Sequence, residues 1–240
     1  MINPEKDVAL KEKLKFLENN LNQFDKIQTY WIETFDYRQN LLKNFETLYG
    51  DKHDKLFFKW DCITDKLTTY FSQNKSKSIK LYTKTENSLH VFELLSILLA
   101  PSAYRKKSTE NRRVKLTSYE LLSSFLFLVK DTSLLLESHE NLKSNLRSKS
   151  QRLQPSLFLV GDSYDDIQCS YVFVNDVLYI LDSPLVAIDV CFKIIHAVNA
   201  EYQQDCEIIW MFLQKFVYEI STKYDKTYSR LNSLMSDLAT

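Results

Sequence analysis

The sequence contains very little glycine and proline. Of its 240 residues, 2 are glycine and 4 are proline, although these two residue types normally make the turns between secondary-structure elements. Their scarcity argues against an all-β sandwich, and two glycines cannot build a glycine-rich phosphate-binding loop. Because 45% of the residues are hydrophobic and 26% are charged, as in ordinary globular proteins, we expect a folded and mainly helical chain.

Signals for export, membrane insertion and disulfide formation are also missing. The N-terminal residues MINPEKDVALKEK are charged and lack the apolar segment of a signal peptide. No apolar run reaches the roughly 18 residues that a membrane span requires. The four cysteines, Cys62, Cys169, Cys191 and Cys206, form no CxxC or CxxH pair. We therefore expect an intracellular protein of the cytoplasm or nucleus, with reduced thiols and no membrane association.

Charge is unevenly distributed along a chain whose net charge is zero. Residues 1–73 hold 11 basic and 12 acidic side chains, residues 74–152 hold 15 and 7, and residues 153–240 hold 5 and 12. A basic middle and an acidic end indicate either a polyanionic partner or contact between the two segments. The same boundaries divide the chain into a heptad-bearing helical segment (1–73), a basic helical and linker region (74–152) and a small sheet with three helices (153–240).

The third segment carries the signs of a small sheet. Three short runs rich in β-branched and aromatic residues, 156–160, 167–174 and 177–181, are separated by turn residues. Asn175-Asp176 suits a two-residue hairpin loop because asparagine tolerates positive φ. Asp182-Ser183-Pro184 then signals a helix start. The predicted fold class is α+β and predominantly α-helical, with an antiparallel β-meander at about 156–181 covered by C-terminal helices. Residues 138–151, polar and rich in serine, read as a linker or a solvated helix end.

Apolar residues near the N-terminus follow a heptad pattern. They recur at alternating steps of four and three residues, and the same frame continues to Leu42, Phe45 and Tyr49, where Gly50 is a predicted helix cap. Two interpretations stay open for residues 5–35: an intermolecular coiled coil that gives a weak homodimer, or a helix packed on its own domain. The candidate self-association residues are Leu10, Leu14, Leu17, Leu21 and Phe24.

Six basic residues within eleven positions form the most informative polar feature. They are Arg105, Lys106, Lys107, Arg112, Arg113 and Lys115. One interpretation is a polyanion-binding patch that neutralises phosphates, and another is a nuclear-import signal. The third is a solvated basic loop between two apolar helices, at 89–99 and 116–128.

Residues that could support catalysis or metal binding are present, but none forms a recognisable site. Gly161-Asp162-Ser163 resembles a hydrolase motif, yet it lies between two predicted strands and reads as a turn. His196 lies among apolar residues and is five positions from Cys191, which predicts a hydrogen-bonded histidine at the core or its rim rather than a Cys–His pair. The aspartates around the predicted hairpin, including Asp176, lack EF-hand spacing and read as turns and caps. We therefore predict no catalytic, cofactor-binding, metal-binding or small-molecule-binding residues.

Three stretches resemble a known family. They are 27–42, 115–130 and above all 172–220, which contains SPLVAIDVCFK at 183–193 and FLQKF at 212–216. Together they are similar to a widespread animal family named sterile alpha motif domain-containing-like proteins. The resemblance implies no catalytic residue and no enzymatic activity. This chain departs from the family in having the heptad helix where the sterile alpha motif domain would lie, so the heptads would have to supply any oligomerisation.

Two functions follow as expectations. The first is a non-enzymatic protein–protein interaction or assembly module, because helices with surplus apolar surface are present and a catalytic constellation is not. The alternative is a nucleic-acid-associated protein that uses the basic middle segment. An enzyme whose polar groups converge from distant segments is a third class, which the sequence pattern does not address.

Overall fold

The computed structural model describes residues 38–74, 89–106 and 113–239. Within these ranges the helices are α1 (Arg38–Tyr49), α2 (Lys55–Asn74), α3 (His90–Leu99), α4 (Ser118–Phe125), α5 (Leu135–Ser148), α6 (Pro184–Ala197), α7 (Glu207–Phe212) and α8 (Ser229–Ala239). The strands are β1 (Tyr104–Lys106), β2 (Arg113–Lys115), β3 (Leu126–Val129), β4 (Ser156–Ser163), β5 (Asp166–Val174) and β6 (Val177–Leu181). The predicted class, α+β and mainly helical, is confirmed.

The first two helices form because their apolar residues recur every three or four positions and bury one face. In α2 these residues are Leu56, Trp60, Ile63, Leu67 and Phe71, each at most 5% exposed. Trp60 stacks on Phe92 of α3, with ring centroids 5.2 Å apart. α1 ends at Tyr49 and is followed by Gly50 at φ +56°, which agrees with the predicted glycine cap.

The apolar run at 116–128 holds a helix and a strand, not one element. Thr117 and Glu120 cap α4 reciprocally: the Thr117 hydroxyl accepts from the Glu120 amide at 3.1 Å, and the Thr117 amide donates to the Glu120 carboxylate at 2.9 Å. After Phe125 the chain becomes β3, which pairs in parallel with β4 from Leu126–Leu157 to Val129–Val160. The sheet thus gains a fourth strand that the sequence pattern did not predict.

The predicted antiparallel meander is confirmed in β4, β5 and β6. The four-stranded sheet has the order β3-β4-β5-β6, and Val174 lies opposite Val177 across the two-residue loop, where Asn175 has φ +53°. Gly161 lies at a register shift between β4 and β5. A Cβ added there would lie 1.9 Å from the Asp166 carbonyl oxygen, so only glycine fits this close approach of two backbones.

Both faces of the sheet are covered by apolar side chains of other elements. Leu157, Leu159 and Val172 face the main core, where α6 packs. Phe158 and Phe173 face the other way and pack in a second apolar cluster with Leu135 of α5. The prediction of a linker at 138–151 is therefore wrong for most of that stretch. It lies mainly in α5, because α5 buries His139 and Leu146 on the side toward the protein.

The C-terminal helices complete the core. α6 begins as predicted, since the Ser183 side chain accepts from the Val186 amide at 3.3 Å and Pro184 occupies the first turn. α7 runs into a π-helical turn, Leu213–Val217. A single apolar cluster extends from Leu41 to Leu238 and includes residues of all three predicted segments. The division of the chain into 1–73, 74–152 and 153–240 stays a prediction. In the described part of the chain, every helix is too short or too polar to span a bilayer, and all four cysteines are free thiols.

Candidate functional site

The ends of the basic segment form an antiparallel β-hairpin. β1 pairs with β2, with Tyr104 opposite Lys115 and Lys106 opposite Arg113. The Leu116 amide extends the pairing by donating to the Ala103 carbonyl at 3.0 Å. Ala103 and Leu116 are 5% and 4% exposed. The hairpin is thus fixed to the core at its base, and the predicted loop is an ordered two-stranded ribbon where the structure describes it.

Four of the six candidate polyanion-binding residues lie in this hairpin. Arg105 and Lys106 belong to β1, and Arg113 and Lys115 belong to β2. Lys107 and Arg112 lie outside the described residues. Because residues opposite each other share a face and the faces alternate along a strand, positions 104, 106, 113 and 115 fall on one face. Three of these four positions are basic and the fourth is a tyrosine.

Three residues of this ribbon have described side chains, and all three are exposed to solvent. Tyr104 is 45% exposed and Val114 is 43% exposed, and Lys115 is also exposed. An aromatic ring beside several cations is a combination that proteins use to bind nucleic acid, with stacking on bases and charge on phosphates. The hairpin is therefore the surface feature of the described chain that best combines the charge, the exposure and the fixed geometry of a binding site.

The candidate self-association residues, Leu10, Leu14, Leu17, Leu21 and Phe24, lie outside the described residues. The same heptad frame continues into α1, and there its residues face the protein's own core. Phe45 is fully buried, with its ring 6.0 Å from Phe192 and 6.0 Å from Tyr218. In α1 the frame therefore serves intramolecular packing, and the coiled coil over 5–35 stays a prediction.

A chain of five polar side chains crosses the helical core beside α6. Tyr49 contacts His196 Nδ1 at 3.2 Å, and His196 Nε2 contacts the Tyr202 hydroxyl at 2.7 Å. Tyr202 donates to Gln214 at 2.9 Å, and Gln214 donates to Asp225 at 2.7 Å. The predicted hydrogen-bonded rim histidine is thus confirmed at His196, with partners from distant segments.

The direction of these bonds assigns the tautomer of His196. Since the Tyr202 hydroxyl donates its proton to Gln214, it accepts a proton from His196, which must carry hydrogen on Nε2. Nδ1 is then the acceptor for Tyr49. Burial lowers the pKa of His196 to about 4, and burial raises the pKa of Tyr202 well above its usual value. Both side chains are therefore neutral near pH 7, and this series of hydrogen bonds has a structural role.

A second polar group lies next to this chain, inside the core. Asp189 and Lys193 form an ion pair at 2.7 Å on one turn of α6, and Tyr218 donates to Asp189 at 2.6 Å. Asp189 is 4% exposed, Lys193 is 7% exposed and Tyr218 is fully buried. Burial raises the pKa of Asp189, although Lys193 and Tyr218 partly oppose this effect. Each charge is compensated inside the protein, as stable burial of charge requires.

The other chemical candidates from the sequence also have structural roles. The predicted turn at Gly161, Asp162 and Ser163 is wrong, because these residues pair with β5 and belong to strand β4. The turn consists of the next two residues, Tyr164 and Asp165. Cys191 is fully buried and burial raises the pKa of its thiol well above the usual value, so it is a poor nucleophile.

A small polar cavity of about 210 Å³ lies between α4, α5 and the segment before α7. Its polar lining is largely used by the protein itself. The Ser123 and Ser124 hydroxyls donate to backbone carbonyls one turn back, and Glu120 caps its own helix. The other polar residues of the lining are Asn145, Lys149, Gln203 and Asp205.

Sequence reasoning missed the partners of His196. Tyr202 and Gln214 are six and eighteen positions further along the chain, and Tyr49 is 147 positions earlier. The one available signal was a glutamine within an otherwise apolar run at 208–213 and 216–217. A glutamine on a buried helix face requires hydrogen-bond partners, and that requirement could have pointed to a network.

Comparison of the chain with protein-family models, with curated proteins and with solved structures found no match. The resemblance to sterile alpha motif domain-containing-like proteins therefore stays a prediction.

Proposed function

We propose that the protein is a non-enzymatic interaction module that binds the phosphate backbone of nucleic acid through its basic hairpin. The observation that carries this proposal is the register of β1 and β2. It pairs position 104 with 115 and position 106 with 113, so these four positions, three of them basic in the sequence, share one face of the ribbon, and Tyr104 is exposed. The helical core supplies the rigid support for this surface.

The physical basis of binding is counterion release. Each Lys or Arg that neutralises a phosphate frees a condensed cation, so affinity falls steeply as salt rises. A two-stranded β-ribbon also fits the major groove of duplex DNA. An exposed tyrosine would favour single strands instead, since unpaired bases stack on aromatic rings. The ribbon has side chains for both contacts, and phosphate contact is common to the two.

The test is fluorescence anisotropy with a labelled DNA duplex and a labelled single-stranded RNA at low salt. The Arg113→Glu, Lys115→Glu double variant should weaken binding to both by about tenfold or more, since two phosphate contacts become repulsive. Lys43→Glu with Lys223→Glu is the matched control, because both lysines are exposed and far from the hairpin in sequence. Equal loss in control and hairpin variants, or no binding by the wild type, would contradict the proposal.

A second candidate function is self-association through the N-terminal heptads. The observation that favours it is exposed aromatic surface on α2, because in α1 the same frame packs on the protein's own core at Phe45. An apolar stripe needs a surface to cover it, and a second chain can provide one. Phe58 of α2, which is 84% exposed, adds aromatic surface of the kind enriched at protein interfaces.

Sedimentation velocity over a range of concentrations tests this candidate. The wild type should form a weak dimer, and Leu14→Asp with Leu21→Asp should yield a folded monomer with an unchanged melting temperature. Lys11→Asp with Lys15→Asp, which changes positions flanking the stripe, should leave the dimer intact. A wild type that is monomeric at every concentration would refute self-association.

A further inference from the structure

Four side chains meet where α5 approaches the turn between β5 and β6. His139, Glu140 and Lys143 come from α5, and Asp176 comes from the turn. Lys143 donates to the Glu140 carboxylate at 2.6 Å and also to the Asp176 carboxylate. The two carboxylates therefore hold a positively charged group between them, although they lie 36 positions apart in the sequence.

The His139 side chain is buried without a full set of hydrogen bonds. It is 2% exposed, and its ring stacks on Phe173 with centroids 3.9 Å apart and planes within 7°. Its Nε2 atom has no hydrogen-bond partner among the residues that the structure describes. Because buried polar atoms are usually paired, this nitrogen can accept a ligand without breaking a hydrogen bond within the protein.

The ligand atoms of this cluster have the spacing of a metal site. One imidazole nitrogen of His139 and one carboxylate oxygen each from Glu140 and Asp176 lie within 4.8 Å of one another. The Glu140 and Asp176 side chains are 62% and 77% exposed, which leaves an open path from solvent. A buried imidazole thus forms the floor of the cluster and two carboxylates form its rim.

We propose that His139, Glu140 and Asp176 bind a divalent transition metal of the Zn²⁺ class, and that the Lys143 ammonium competes with the ion for the two carboxylates. Imidazole nitrogen and carboxylate oxygen are regular zinc ligands, and three protein ligands leave a fourth position for water. Ca²⁺ and Mg²⁺ fit less well because they prefer ligand sets made of oxygen alone.

Lys143 allows a metal site to be distinguished from a purely structural ion-pair cluster. The Lys143 ammonium forms ion pairs with both Glu140 and Asp176 and partly neutralises them. An entering dication must displace this ammonium, because two cations cannot share the same pair of carboxylates at short range. Removal of the lysine charge should therefore strengthen metal binding. If the ion pairs served only to join α5 to the turn, the same change would lower stability and would not raise metal affinity.

The experiment measures Zn²⁺ affinity of the full chain by competition with a chromophoric chelator, with Co²⁺ absorption as a second readout of coordination. Lys143→Met should bind Zn²⁺ about tenfold or more tightly than the wild type, and Asp176→Asn should bind it about tenfold or more weakly. Asp176 lies in an exposed turn, so this variant should keep its circular dichroism spectrum. The matched control is His53→Gln, which removes an exposed imidazole beside Asp54 and should leave the affinity unchanged.

Tighter binding in Lys143→Met together with weaker binding in Asp176→Asn supports the site. Equal affinity in the wild type and Lys143→Met, an unaffected Asp176→Asn variant, or no detectable binding in any protein would overturn it. A loss of binding in His53→Gln would also overturn it, because the ion would then reside at a different histidine.

Discussion

Substitution of Tyr202 by phenylalanine tests how much the series of hydrogen bonds beside α6 contributes to stability. The Tyr202 hydroxyl lies 2.7 Å from His196 Nε2 and 2.9 Å from the side-chain oxygen Oε1 of Gln214. Removing it leaves one donor and one acceptor without a partner inside the protein. Each unsatisfied buried group costs about 1–3 kcal/mol, so Tyr202→Phe should lower the free energy of unfolding by about 2–6 kcal/mol.

Tyr49→Phe is the internal comparison for this prediction. Tyr49 is half-buried and is the first member of the hydrogen-bonded series. It makes one longer hydrogen bond, 3.2 Å, to His196 Nδ1. Its loss should cost only about 0.5–1.5 kcal/mol, because water can replace the hydroxyl there. Tyr224→Phe, at a tyrosine that is 63% exposed, is the matched control and should change stability by less than about 0.5 kcal/mol.

Urea unfolding measures all three variants. The midpoint should fall most for Tyr202→Phe while the slope with denaturant stays constant, which indicates a change in stability without a change in the surface exposed. A Tyr202→Phe variant that loses no more stability than Tyr49→Phe would refute the reasoning. The Tyr202 hydroxyl would then contribute no more to stability than the Tyr49 hydroxyl.

Three further predictions follow from buried groups. Gly161→Ala should destabilise the protein by about 2 kcal/mol or more in urea unfolding, because its Cβ would meet the Asp166 carbonyl oxygen at 1.9 Å. Lys193→Met should cost about 3–5 kcal/mol, since it leaves the Asp189 carboxylate buried without its cation; a loss below 1 kcal/mol would contradict this. The contribution of His196 to stability should fall by about 2–3 kcal/mol from pH 6.5 to pH 4, because unfolded His196 binds a proton that the folded form, with a pKa of about 4, excludes. A His196→Gln variant should lack this part of the pH profile.

Local signals in the sequence predicted the elements whose geometry is set by neighbouring residues. The Asn175 loop joins strands only two residues apart, and Ser183 with Pro184 begins α6 through contacts within one turn. Their conformations follow from side chains close by in the chain. The sequence therefore predicted the meander and the helix start correctly.

Elements that depend on distant partners could not be predicted in the same way. β3 is a strand because Leu126 to Val129 pair with residues 31 positions later, and its sequence would also suit a buried helix. His139 is buried because Phe173, on another element, supplies a ring for it to stack on. The partners of His196 and the position of Asp176 beside α5 have the same origin. Each requires knowledge of which segments meet in space.

The basic segment is an intermediate case. Its charge was evident from the sequence, and the nearby Pro101 was consistent with a break after α3. The pairing of Lys106 with Arg113 was not evident, because a polar stretch without alternating apolar residues does not predict a strand. The charge pattern thus identified the candidate surface, and the backbone register defined its face.

The salt dependence of nucleic-acid affinity tests the central claim most directly. Log affinity of the wild type should fall linearly with log salt between about 50 mM and about 200 mM, and Arg113→Ala with Lys115→Ala should reduce the steepness by about 2, one for each lost phosphate contact. The neutral substitutions remove contacts without adding repulsion. A wild-type slope near zero, or a slope that the variant leaves unchanged, would contradict the assignment of the hairpin as the phosphate-binding surface.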